Sequence, residues 1–111
     1  MRIRSQDYND VTVVALQGEL DSDLGELLRN TVTDIIAGSK LRIVLDMSAV
    51  GFIDSKGLEE LLWLRDYCNQ NKCGLRLAGL DENCAKILEM TRLENEFERY
   101  VELAEAVKSF V

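Results

Sequence analysis

The stretch that decides the fold is AVGFIDSKGLEELLWL, residues 49–64. A short apolar run reaches Ile53 and stops at Asp54 and Ser55, where apolar residues begin to recur at helical spacing. Asp and Ser are both favoured helix N-cap residues, so the simplest interpretation of the pair is a cap. A second interpretation is a phosphorylation site at Ser55. A phosphate there would meet free backbone N–H groups, the positive end of the helix dipole and the neighbouring cation of Lys56.

The helix predicted after Asp54 has one apolar face and one aromatic face. At about 100° per residue, one wide arc is expected to face a sheet and contains Leu58, Leu61, Leu62, Leu64 and Cys68. Trp63 and Tyr67 lie one turn apart on the opposite side, among acidic residues. The pair is interpreted either as a patch for a protein partner or as a Trp covered by a neighbouring loop. Arg65 falls inside the apolar arc, and its stem is expected to reach out to solvent.

Strand patterns lie on both sides of this stretch. Compact apolar or β-branched runs predict three strands and a short edge strand, at residues 11–18, 41–47, 74–80 and 97–102. The first eight residues alternate weakly in polarity. They are expected to pair with the next strand as a hairpin that turns at Asn9-Asp10.

Helical spacing fills the segments between the strands and after the last one. The predicted helices run from Asp21 or Ser22 to Gly38, from Asp54 to about Gln70, from Asp81 to about Leu93, and over 103–110. Alternation of this kind predicts an α/β protein, with a mixed sheet of four to five strands and about four helices packed on it. A chain of 111 residues is expected to form a single domain, residues 1–111.

The charge balance excludes several kinds of partner. The chain has 13 Lys and Arg against 20 Asp and Glu, a net charge of −7, with no basic stripe. Phosphate backbones and anionic lipid repel such a surface. No apolar run approaches the roughly 18–20 residues of a membrane span, and MRIRSQDYND lacks the apolar segment of a secretory signal. We therefore predict a cytoplasmic protein that binds no nucleic acid and has no membrane span.

The residue types also argue against catalysis and metal binding. Without histidine, neither a Ser-His nor a Cys-His nucleophile pair is possible, and a zinc site would need an unusual ligand set. The cysteines are Cys68, Cys73 and Cys84, with no Cys-x-x-Cys pair, which favours structural thiols. No glycine-rich phosphate loop is present. We predict no catalytic residues, no metal and no cofactor.

Several motifs, in this order, make the whole chain resemble a STAS domain, the fold of bacterial anti-sigma-factor antagonists. GELD follows a strand, LDMSAVGFIDSKGL spans a strand, a loop and a helix start, GLRLAGL is the next strand, and AKILEMTRL lies on the next helix. The IDSxGL pattern at residues 53–58 is the most specific of these motifs. Lys56, Trp63 and Arg92 depart from the family, which more often has small residues at the first two positions and glycine at the third.

The resemblance implies a phosphorylation switch. In the family, a partner phosphorylates the serine that follows the aspartate, which here is Ser55. That partner is an anti-sigma factor with serine-kinase activity and an ATPase-like fold. The unphosphorylated antagonist binds it and frees a sigma factor, the phosphorylated form cannot bind, and a metal-dependent phosphatase resets the switch. The expected partner-binding residues are Asp21, Ser22, Asp54, Ser55, Lys56, Gly57, Trp63 and Tyr67.

Two other functions stay open at this point. STAS domains also serve as adaptor subunits of signalling or lipid-transport complexes, without a phosphorylation switch. An enzyme or a nucleotide-binding domain fits the residue types poorly. A switch surface must be free to dock, so we expect a monomer.

Overall fold

A computed structural model describes residues 1–110, which contain five strands and four helices. The strands are β1 (Arg2–Tyr8), β2 (Val11–Gln17), β3 (Arg42–Ala49), β4 (Gly74–Ala78) and β5 (Glu98–Tyr100). The helices are α1 (Ser22–Ala37), α2 (Ser55–Gln70), α3 (Glu82–Met90) and α4 (Leu103–Lys108). The predicted α/β class, mixed sheet and helix number are confirmed. Within residues 1–110, no helix is long and apolar enough to cross a membrane.

The five strands form one sheet in the order in which they occur along the chain. β1 and β2 are antiparallel and joined by the predicted hairpin turn, where Asn9 adopts the left-handed conformation. β2, β3, β4 and β5 are parallel neighbours. Parallel neighbours need a crossover connection, and a helix supplies each one.

The sheet separates two apolar layers because alternate side chains of a strand point to opposite faces. On one face, Val14 and Leu45 pack with the apolar sides of α1, α2 and α3 in the main core. On the other face, Val13 and Val44 pack with Ala106 of the short helix α4. The arc predicted to face the sheet is confirmed, since Leu61, Leu64 and Cys68 are buried and Leu58 and Leu62 pack against the core.

Every helix begins just after a strand that runs in the same direction. α1 follows β2, α2 follows β3, α3 follows β4 and α4 follows β5. All four helix starts therefore lie at the carboxyl edge of the parallel strands, which is where α/β sheets commonly place ligand and partner sites.

Helices α1, α2 and α3 are each followed by a residue in the left-handed conformation, and in none of them is that residue a glycine. The left-handed residues are Ser39, Lys72 and Arg92, with φ of 63°, 56° and 61°. In α3, the Leu93 N–H donates to the Leu88 carbonyl at 2.8 Å, which closes a Schellman motif. The prediction that α3 runs to Leu93 was therefore too long, and Arg92 occupies a position that favours glycine.

Arg65 has partners that the sequence did not reveal. Its guanidinium lies 3.1 Å from the carboxylate of Asp66 and 2.8 Å from that of Glu96, which precedes β5. The long stem lets the charged head leave the apolar arc and meet carboxylates at the surface.

Candidate functional site

The candidate site is formed by the starts of α1 and α2, which are joined through their loops. Leu20 and Ile53 form an isolated parallel bridge between the two loops. The Leu20 N–H donates to the Phe52 carbonyl at 2.9 Å, and the Asp54 N–H donates to the Leu20 carbonyl at 3.1 Å. These bonds fix the loop over residues 18–23, which carries Asp21 and Ser22, beside the loop that precedes Ser55.

Gly57 allows the two loops to approach this closely. A Cβ atom at this position would lie 2.1 Å from the Leu20 carbonyl oxygen and 2.9 Å from its carbon. Gly57 is buried, so it offers no open backbone to a partner. The expectation that a partner uses this glycine is corrected: the close backbone approach is made by Leu20 of the same chain.

Each helix start is capped by its aspartate. The Asp21 carboxylate accepts from the Leu24 N–H at 3.0 Å, and the Asp54 carboxylate accepts from the Gly57 N–H at 2.8 Å. Ser22 and Ser55 are the first residues of α1 and α2, and both are exposed. The cap is therefore made by Asp54, and the Ser55 hydroxyl is not the capping group.

Lys56 supplies a positive charge next to Ser55. Its ammonium lies 3.5 Å from the Glu59 carboxylate, and both side chains are about two-thirds exposed. An exposed ion pair at this distance is weak and is easily exchanged for another anion. A phosphate on Ser55 would therefore meet Lys56 as well as the N–H groups of the helix start.

The loop before Ser55 is held from the other side by α3. The Asn83 side-chain amide donates to the Gly51 carbonyl at 2.9 Å, and the Cys84 thiol donates to the Val50 carbonyl at 3.3 Å. Phe52 is 43% exposed at the tip of this loop. Neither Phe52 nor Asn83 was assigned a role from the sequence. The signal for Phe52 was present, because a large apolar residue stands in a loop two residues before the Asp-Ser pair.

Trp63 and Tyr67 do not lie at the Ser55 end of α2. They follow Ser55 by two and three helical turns, so Trp63 is about 12 Å further along the axis. Their rings stack with centroids 4.8 Å apart, and the Arg29 guanidinium lies 4.0 Å from the Trp63 ring centre. Arg29 is itself paired with Glu60 at 3.0 Å.

The interpretation of this aromatic pair as a patch for a protein partner on the solvent side of α2 needs correction. Trp63 and Tyr67 are both partly buried and pack against the main core, so they do not stand on a free solvent face. The covering element is helix α1 and not a loop, which differs from both interpretations offered by the sequence.

Metal ligands are not clustered in residues 1–110, where no group of three or more Cys, Asp or Glu side chains could hold an ion. The three cysteines are free and buried. Burial raises the pKa of the Cys84 thiol to about 12, and the neighbouring Asp81 adds to this shift. Cys84 is therefore a protonated structural thiol near neutral pH.

A mixed five-stranded sheet with four helices, two of whose starts are paired at one edge, defines an α/β domain. The family is shown by the STAS domain model, which matches residues 2–108. The chain belongs to the STAS domain family.

One curated relative is similar over half of the chain. The anti-sigma-F factor antagonist RsfB of Mycobacterium tuberculosis is 34% identical over 55 residues, which is 50% of this chain and 45% of that protein. This chain therefore matches less than half the length of that relative.

Solved structures resemble the fold over nearly the whole chain. A putative anti-sigma factor antagonist of Thermotoga maritima has a TM-score of 0.88 at 21% identity, covering 96% of this chain and 92% of that one. The anti-sigma factor antagonist SpoIIAA, a Bacillus cell fate determinant, has been solved in two forms. The structure of its unphosphorylated form has a TM-score of 0.80 at 20% identity, covering 98% of this chain and 96% of that one. The structure of its phosphorylated form has a TM-score of 0.74 at 18% identity, covering 99% of this chain and 100% of that one.

Proposed function

We propose that this chain is an anti-sigma-factor antagonist controlled by phosphorylation of Ser55. The observation that carries the proposal is the exposed Ser55 hydroxyl at the first position of α2, where Asp54 already makes the cap. A serine that the cap does not need can accept a phosphoryl group without loss of the hydrogen bond that holds the helix start. The antagonists among its relatives, one of them known in a phosphorylated form, support the same function.

The unphosphorylated form binds an anti-sigma factor with serine-kinase activity and so releases a sigma factor. Its docking surface is the paired helix starts, with Asp21 and Ser22 at the start of α1 and Asp54, Ser55 and Lys56 at the start of α2. Phe52 lies three residues before Ser55 in the same loop and adds an exposed aromatic ring of the kind that is enriched at interfaces.

Phosphorylation changes the surface and leaves the fold intact. A phosphate adds roughly −1.5 to −2 charges near neutral pH. In the free protein, water, Lys56 and the helix start stabilise this charge. In the complex, the charge would lose its water and lie beside the Asp54 carboxylate, so binding becomes unfavourable. A metal-dependent phosphatase removes the phosphate and restores binding.

The first experiment is mass spectrometry of the protein recovered from its own cells together with its bound partners. Trypsin releases residues 43–56 as one peptide that contains both Ser48 and Ser55. Fragment ions must therefore assign the phosphate, and Ser48 serves as an internal control. We expect phosphate on Ser55 and not on Ser48. We also expect a partner of kinase fold to be enriched only with the unmodified protein.

Three variants test the switch directly. Ser55→Ala should bind the anti-sigma factor constitutively, and Ser55→Asp should bind at least about tenfold more weakly, or about 1.4 kcal/mol. Ser5→Asp adds the same charge on β1, away from the helix starts, and should bind like the wild type. An acid in the first turn stabilises a helix, so Ser55→Asp should melt no earlier than the wild type and its loss of binding is not unfolding. Equal binding by all three variants would refute the switch and favour a constitutive adaptor subunit.

A further inference from the structure

The end of α2 brings two of the three cysteines together. The helix closes in a Schellman motif, in which the Cys73 N–H donates to the Cys68 carbonyl at 2.8 Å and the Lys72 N–H donates to the Asn69 carbonyl at 3.3 Å. Lys72 has the left-handed φ of 56° that this motif requires. In this motif, the two residues joined by the hydrogen bond that spans six residues commonly make an apolar side-chain contact. Here those residues are Cys68 and Cys73.

The two thiols differ in their access to solvent. Both belong to the main core, with exposures of 1% for Cys68 and 6% for Cys73. Cys73 also lines an open cavity of about 430 Å³ between the end of α2 and the start of β4, with Arg65, Asn69 and Arg76 on its walls. A small solute can therefore reach Cys73 first, with Cys68 behind it.

The contact also distributes the acidity of the pair unequally. Hydrogen bonding between the two side chains raises the pKa of Cys68 and lowers the pKa of Cys73, and burial raises the pKa of Cys68 further. In the structure the Cys73 thiol donates to the Gly74 carbonyl at 3.6 Å. Once Cys73 loses its proton, donation from the Cys68 thiol to the Cys73 thiolate accounts for both directions. The thiolate is the reactive form of cysteine, so the more accessible sulfur is also the more nucleophilic one. Cys84 lacks this advantage, because burial keeps it protonated.

We propose that Cys68 and Cys73 form a dithiol site that hydrogen peroxide oxidises to an intramolecular disulfide. The Cys73 sulfur attacks one peroxide oxygen, the O–O bond breaks, and the departing hydroxide takes up a proton to become water. Cys73 is then a sulfenic acid. The Cys68 sulfur attacks it, the S–O bond breaks as the S–S bond forms, and the Cys68 proton leaves with the hydroxyl group as a second water. The two thiols lose two electrons and the peroxide gains them. The site is separate from the proposed phosphorylation switch.

The sequence allows a direct test on the folded wild-type protein. Trypsin places each cysteine in its own peptide, Cys68 in 66–72, Cys73 in 73–76 and Cys84 in 77–86. The folded protein is treated with hydrogen peroxide, then unfolded, alkylated with iodoacetamide and digested without reductant. We expect peptides 66–72 and 73–76 to appear joined, lighter by two hydrogen atoms, while 77–86 stays alkylated. Free thiol should disappear from the pair at least about tenfold faster than from Cys84.

Two variants separate the roles of the sulfurs. In Cys68→Ala, the Cys73 sulfenic acid has no resolving thiol and should be trapped by dimedone. Cys84→Ala is the matched control and should form the disulfide at the wild-type rate. The proposal is overturned if Cys84 oxidises as fast as the pair, if the two peptides are oxidised without being joined, or if the only disulfide links two chains on a non-reducing gel.

Discussion

The contact between Gly57 and Leu20 predicts a large loss of stability from a single added methyl group. In Gly57→Ala, the new Cβ would lie 2.1 Å from the Leu20 carbonyl oxygen and 3.0 Å from the Ile53 Cγ2. The nearest atom belongs to the backbone, so a side-chain rotation cannot relieve the overlap. The loop that carries Leu20 must move away from α2.

The structure sets the size of the effect. Moving the loop breaks the two backbone hydrogen bonds that Leu20 makes with Phe52 and Asp54, each of which contributes about 1 kcal/mol. Overpacking in a closed site costs a further 1–3 kcal/mol or so. Alanine is the better helix former by about 1 kcal/mol, which offsets part of the loss. The free energy of unfolding should fall by about 2–4 kcal/mol.

The assay is urea unfolding followed by circular dichroism, with Gly51→Ala as the matched control. Gly51 lies in the same loop as Ile53, and a Cβ there would meet no atom within 4 Å. The control should therefore stay within about 0.5 kcal/mol of the wild type. If Gly57→Ala also stays within that range, this contact does not join the two helix starts, and they do not form a fixed docking edge.

Two further predictions concern α3. Arg92→Gly should raise the free energy of unfolding by about 0.5–1 kcal/mol, because Arg92 holds a φ of 61° that costs side chains with a Cβ. Lys86→Gly, inside the helix, should lower the free energy of unfolding by about 1 kcal/mol. Urea midpoints that shift in the same direction for the two variants would contradict the reasoning. The pKa of about 12 for Cys84 means that from about pH 9 upward the folded state holds a proton that the unfolded chain releases. The free energy of unfolding should therefore fall as the pH rises toward 12. In urea titrations at alkaline pH, the fall should be shallower for Cys84→Ala than for the wild type. Equal dependence on pH in the two proteins would refute the raised pKa of Cys84.

The element order and the buried face of α2 could be predicted from the sequence because both depend on local periodicity. Leu61, Leu64 and Cys68 recur at helical spacing, and any helix with that spacing buries the same side against a sheet. The hairpin at Asn9-Asp10 and the cap at Asp54 likewise depend only on residues close together in the chain.

The features of α2 that the sequence did not reveal depend on residues far apart in the sequence. Gly57 is constrained by Leu20, Trp63 is covered by Arg29, and Arg65 pairs with Glu96. No periodicity within α2 indicates which helix lies beside it or how closely a loop approaches. The error at the end of α3 has a different cause. A left-handed residue that ends a helix is most often glycine, so Arg92, which adopts that conformation, gave no stop signal in the sequence.

The two helix starts are locally alike, and the residue after each serine distinguishes them. In both, an aspartate caps the helix and an exposed serine is its first residue. Ser22 is followed by the exposed carboxylate of Asp23, whereas Ser55 is followed by the exposed ammonium of Lys56. A phosphate on Ser22 would be repelled by its neighbour, and one on Ser55 would be attracted. Local electrostatics therefore make Ser55 the better phosphate acceptor of the two, although both serines occupy the same position in a capped helix start.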